Sequence, residues 1–90
     1  MQERTVVINN PLGIHARPAA LVVQAASRYG ADIYLSKGDT RNVNGKSIMS
    51  VMMLAAEQGS EVTVAAEGED AEVAVEELAA LLQSNFEGKI

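Results

Sequence analysis

The apolar residues of this chain change their period from one segment to the next, and that alternation constrains the fold more than any other feature. Val6 and Ile8, Ile33 and Leu35, and Val62, Val64 and Ala66 recur at every second position. That spacing places one face of a strand against a core. Ala19, Val22, Val23, Ala26 and Tyr29 recur at helical spacing, as do Ala71, Ala74, Val75, Leu78, Leu81 and Leu82. The pattern predicts strands over Thr5–Ile8, Ala31–Ser36, Thr40–Val43 and Glu61–Glu67, and helices over about Ala16–Tyr29, Ser47–Ala56 and Ala71–Ser84. Lys37-Gly38-Asp39 is the expected hairpin turn. Gly30 is the expected C′ residue of the first helix, and Asp70 the expected N-cap of the last. In the second helix, Val51, Leu54 and Ala55 should face the core. Four strands with one apolar face each and three amphipathic helices imply an α+β fold of order βαββαβα. It is an open-faced, two-layer sandwich: an antiparallel sheet covered on one side.

Composition narrows the class. Ninety residues, 1–90, make one small domain, with 48% apolar residues, one Phe and no Trp, so Val, Ile, Leu, Ala and Met build the core. The chain has no cysteine, which removes disulfides and thiolate metal sites. Met1-Gln2-Glu3-Arg4 is not followed by an apolar stretch of signal-peptide length, and no segment would span a bilayer. The expectation is a cytoplasmic protein without membrane insertion. A net charge of −5 argues against nucleic acid as a partner. Acid gathers between Glu57 and Glu77, while Arg17, Arg28, Lys37, Arg41 and Lys46 occupy the first half, leaving that end for an acidic or phosphorylated partner.

The only histidine stands in Gly13-Ile14-His15-Ala16-Arg17-Pro18. Pro18 suits the first turn of a helix, where its missing N–H leaves no bond unmade. His15 should therefore sit at the mouth of that helix, close to amide donors that attract anions and to the Arg17 guanidinium. A helix N-terminus and a neighbouring cation both disfavour the imidazolium, so the ring, with a reference pKa of about 6.5, should be mostly neutral and nucleophilic. Nδ1 is the nitrogen nearer the backbone. A phosphoryl group there would reach the helix amides, and the planar fork of Arg17 suits its oxygens. A single His without Cys implies no metal, and nothing implies a cofactor. The plain alternative is an ordinary loop histidine.

Ser47-Ile48-Met49-Ser50-Val51-Met52-Met53-Leu54 carries many large apolar residues for a short helix. Either the helix is buried with methionines filling gaps, or Ile48, Met49 and Met52 form an exposed docking face, completed on the first helix by Ala20 and by Val23 or Gln24. Ser47 is an N-cap on either reading.

Gly-Ile-His-Ala-Arg-Pro-Ala resembles the active-site signature of HPr, the histidine-containing phosphocarrier of the sugar phosphotransferase system. Asn44-Gly45-Lys46-Ser47-Ile48-Met49 resembles that family's second signature, around a regulatory serine. The resemblance covers nearly the whole chain and implies the sheet order 1-4-2-3. It implies a phosphocarrier, not a turnover enzyme, that takes a phosphoryl group on His15 Nδ1 from phospho-enzyme I and passes it to a histidine of an enzyme IIA partner. Arg17 would assist the transfer. Ala20, Ile48, Met49 and Met52 would dock partners. Ser47 would be a phosphorylation site of an ATP-dependent HPr kinase/phosphorylase, with a transcriptional regulator as a further partner, and the chain would be a monomer. Two related roles remain open. Lys46-Ser47-Ile48-Met49, the run Val51–Ala56 and Asn85-Phe86-Glu87 also look like the nitrogen-branch paralogue NPr, which serves a regulatory phosphorelay. HPr-like corepressors work through the phosphoserine alone, but relatives of that kind lack the histidine.

Overall fold

The computed structural model describes residues 1–11, 13–14 and 16–84. Its elements are β1 (Gln2–Val7), α1 (Ala16–Ser27), β2 (Asp32–Lys37), β3 (Thr40–Asn44), α2 (Ile48–Met53), β4 (Glu61–Glu67) and α3 (Ala71–Gln83). The four strands form one antiparallel sheet in the order β1-β4-β2-β3, as expected.

Alternation along the strands separates the two faces. Val6, Ile33, Leu35, Val62, Val64 and Ala66 are buried and join one core with Val22 of α1, Val51 of α2 and Leu78 and Leu82 of α3. Each Val, Ile or Leu side chain among them stabilises the fold by roughly 1.5–3 kcal/mol through burial. The opposite face carries Glu3, Thr5, Asp32, Glu61 and Glu67, all exposed. There Thr5 and Thr63, directly opposite in register, share a hydroxyl hydrogen bond of 2.8 Å. The sheet is therefore open on one side.

Several local expectations are corrected. Strand β1 begins at Gln2, earlier than its apolar pattern, because β4 is long enough to pair its polar residues: Gln2 stands opposite Ala66. Helix α1 ends at Ser27, closed by short-range bonds from Arg28 N to Ala25 O and from Tyr29 N to Ala26 O, both 3.2 Å. Gly30 is not left-handed. Its amide and that of Ala31 donate to the two carboxylate oxygens of Asp70, at 3.0 and 2.9 Å. Asp70 thus stands at the N-cap position of α3 without capping it by its side chain. Its carboxylate instead pins the α1–β2 corner. In α3, Ala79 is buried, while Leu81 is only half-buried.

Helix α2 departs furthest from expectation. It ends at Met53 and not near Ala56, because Ala55 turns left-handed at φ +50°. Ala55 is exposed, not in the core, whereas Val51 and Leu54 are buried as expected. The turn at Ala55 lets Ala56 present its carbonyl to the loop that precedes α1.

Candidate functional site

The loop from β1 to α1 is held on three sides. Ile8 exchanges backbone bonds with Ser60 and Gly59 at 2.9 and 2.8 Å. Asn9 Nδ2 donates to the carbonyl of Gln83, at the end of α3, at 2.6 Å. The buried Asn10 amide closes a small ring: its Nδ2 donates to Gly13 O at 2.7 Å, and Gly13 N donates to Asn10 O at 2.9 Å. A buried polar side chain is costly unless satisfied, so this ring also specifies the loop. Ile14 N then donates to Ala56 O at 2.8 Å. Gly13 has φ +70°, and a Cβ there would stand 2.5 Å from Ala56 O. Only glycine fits both the dihedral and the approach.

Helix α1 follows at Ala16, the residue after His15. His15, with Leu12 and residues 85–90, lies outside the described residues. The expectation for its ring therefore stays a proposal. Pro18 is the third residue of α1 and is buried, in the first turn as expected. Arg17 is exposed, and its guanidinium makes no ion pair or hydrogen bond with a described residue. Most other cations of the first half are committed. Arg28 pairs with Glu77 at 2.6 Å, Lys37 Nζ donates to Ala55 O at 3.1 Å, and Lys46 Nζ donates to Tyr29 O at 2.7 Å.

The second candidate region begins where Gly45 packs against β2. A Cβ at Gly45 would lie 2.7 Å from Ile33 Cγ2, so glycine is again needed for close approach. Ser47 is the N-cap of α2, in extended conformation, and its Oγ accepts from Ser50 N at 3.3 Å. With Val51 facing inward, the other face of the helix is open: Met49 is 75% exposed, Met53 66%, Ile48 44% and Met52 42%. The methionines do not fill gaps in the core. Ala20 is half-buried on α1, as is Val23, while Gln24 is exposed, and α1 packs against α2.

Sequence reasoning missed Asn10, the Ala56 carbonyl and the exposure of Met53. The Asn10-Pro11 pair is a turn-initiating signal that points to the loop, though not to its clamp. Away from this region, Tyr29 OH donates to Glu77, and that bond, reinforced by burial and the Glu77 charge, raises the phenol pKa above 10.0. Among the described residues no helix is long and apolar enough to cross a membrane, and no cluster of three or more His, Cys, Asp or Glu could hold a metal ion.

Comparison with known proteins adds a second line of evidence. Residues 2–84 match the family model described as the PTS HPr component phosphorylation site. The phosphocarrier protein HPr of Treponema pallidum is 49% identical, covering 97% of this chain and 98% of that protein. The HPr-like protein Crh of Bacillus subtilis is 48% identical, covering 92% and 96%. A Crh crystal structure, described as a dimer with a swapped domain, matches with a TM-score of 0.74 at 46% identity over 94% of this chain and 97% of that one. The crystal structure of HPr from Thermoanaerobacter tengcongensis has a TM-score of 0.89 at 44% identity, with each chain fully covered.

Proposed function

The chain belongs to the HPr family of phosphotransferase-system phosphocarriers, and from that premise we propose that His15 takes a phosphoryl group from phospho-enzyme I and hands it to a histidine of an enzyme IIA partner. The observation that carries this reading is the start of α1. The helix opens directly after His15, and its first turn holds an exposed cation, Arg17, with no partner among the described residues. An anion arriving there meets a guanidinium that gives up no contact with a described residue to receive it.

The chemistry asks little more of the protein. The lone pair of the neutral imidazole at Nδ1 attacks phosphorus while the bond from phosphorus to the donor breaks. The next acceptor reverses the process. Arg17 balances charge on the moving group in both directions. The clamp of Asn10, Gly13 and Ala56 sets the entry to the helix, so the site is organised before a partner arrives. Ala20, Ile48, Met49 and Met52 supply the apolar docking face. The protein acts as one domain, 1–90, a cytoplasmic monomer that carries phosphoryl groups without cofactor or metal.

Incubation with phosphoenolpyruvate and enzyme I, followed by intact mass, tests the proposal. The expected result is an acid-labile gain of one phosphoryl group that His15→Ala abolishes. A wild-type protein that stays unmodified overturns it. Light scattering tests the monomer against the dimeric arrangement described for Crh.

Regulation at Ser47 is favoured by its position next to Ile48 and Met49. Phosphorylation by an HPr kinase/phosphorylase would add charge beside an apolar docking face, and that charge must be desolvated when a partner binds. Ser47→Asp should keep the helical signal while slowing transfer to His15; equal rates in the two proteins exclude the switch. Service in a nitrogen-branch relay in place of sugar uptake would use the same carrier chemistry, whereas work through a transcriptional regulator would use phosphorylated Ser47 alone. Comparing transfer rates to sugar-branch and nitrogen-branch IIA proteins separates the branches. The part of the nitrogen-branch resemblance carried by Asn85-Phe86-Glu87 lies outside the described residues.

A further inference from the structure

We propose that Met49, Met52 and Met53 form an oxidation site at which peroxide-class oxidants reversibly weaken partner docking. The inference rests on the docking role given to α2 above and concerns the regulation of that face.

Three observations carry it. Three of the four methionines in the chain stand within one six-residue helix. All three face outward, at 75%, 42% and 66% exposure, while the inward side is filled by Val51 and Leu54. The chain has no cysteine, so its solvent-facing sulfur is thioether, concentrated where docking needs an apolar surface. Met1 is the fourth. It is exposed at the far end of β1 from the loop that leads into α1, and it provides an internal control.

The chemistry is balanced. A thioether lone pair attacks one peroxide oxygen and the O–O bond breaks. The departing hydroxide collects the remaining proton as water. Sulfur loses two electrons and gains one oxygen, becoming a sulfoxide. A dithiol reductant reverses the change, releasing water and becoming a disulfide. The sulfoxide turns a flexible apolar group into a strong dipole and acceptor. On a free surface water satisfies that dipole. Under a docked apolar partner it loses the water without gaining a donor, so the cost falls on the complex and not on the fold. Because Met49, Met52 and Met53 are not among the buried core residues, the helix should survive the modification.

The test uses the full chain. Peroxide treatment should add about 16 Da per sulfoxide, with peptide mapping finding Met49 and Met53 modified before Met52. Transfer from phosphoenolpyruvate through enzyme I, at limiting carrier concentration, should slow about tenfold, the size of a contact worth roughly 1.4 kcal/mol. Methionine sulfoxide reductases should restore it. In Met49→Leu/Met52→Leu the readout is the ratio of oxidised to unoxidised rate, which should rise towards one. Equal rates in the wild-type protein before and after oxidation overturn the proposal, as does slowing that comes with loss of the helical signal. An unoxidised protein that accepts no phosphoryl group sinks the carrier reading instead.

Discussion

The two ends of α1 are built from similar residues and behave in opposite ways. At the C-terminal end every strong group is committed. Arg28 and Tyr29 both hold Glu77, Lys46 holds the Tyr29 carbonyl, and Asp70 holds the amides of Gly30 and Ala31. These bonds tie α1 to α3, to the start of α2 and to the β2 corner. At the N-terminal end the backbone is clamped just as firmly, through Gly13 and Ile14 on Ala56, yet Arg17 is left open among the described residues. An arginine whose charge is already balanced stabilises a fold; one held ready without a partner suits an anion that comes and goes. The difference separates an anchoring end from a working end.

That contrast is breakable. Gly13→Ala should have the largest effect, because it meets both a left-handed dihedral and the Ala56 oxygen. A loss of about 2–4 kcal/mol is expected, read by denaturant unfolding, and transfer should fall with it. If the variant is as stable as the parent, the clamp is not what organises the loop.

The two arginines provide the sharper comparison. Arg17→Ala should lower phosphotransfer roughly tenfold to a hundredfold and leave stability nearly unchanged. Arg28→Ala should do the reverse. Its pair with Glu77 is partly exposed, so the cost is about 0.5–1 kcal/mol, with transfer unaltered. The same phenotype from both substitutions would erase the distinction between the ends.

The smallest effect concerns pH. Tyr29 is held above its ordinary pKa, first by its hydrogen bond to Glu77 and then by burial and the Glu77 charge. The folded state therefore keeps the phenol proton more tightly than the unfolded chain. This contribution is fully present below pH 10.0 and declines as pH rises through the raised value. Tyr29→Phe should cost about 1 kcal/mol at neutral pH and flatten the alkaline decline in thermal stability. A decline as steep as that of the parent would place its origin elsewhere.

Much of the architecture was legible in the chain because burial on one face imposes a period. β4 runs over Glu61–Glu67 as the alternation predicted, and α3 ends within one residue of expectation. The errors fall where a local signal competes with a distant partner. Asp70 looks like a capping residue, and it sits where a cap should, but the amides of Gly30 and Ala31 claim its carboxylate. Ala55 looks like the inward continuation of α2, yet it turns left-handed, leaving Ala56 O to meet Ile14 N. For the site, the exposure of Ile48, Met49 and Met52 follows one of the two readings that the residues left open, while the exposure of Met53 was not foreseen, and Asn10 and Ala56 were invisible because their partners lie elsewhere in sequence.

By itself, the sequence determined the element types, most of the inward residues and the two glycine-bearing motifs, since periodicity and turn chemistry act over a few neighbouring residues. Only the tertiary structure decided which cations are committed and which, Arg17 and Arg41, have no partner among the described residues, and where α2 stops. Those outcomes depend on which carbonyls and carboxylates the packed layers bring within hydrogen-bond reach, and no local pattern encodes that meeting.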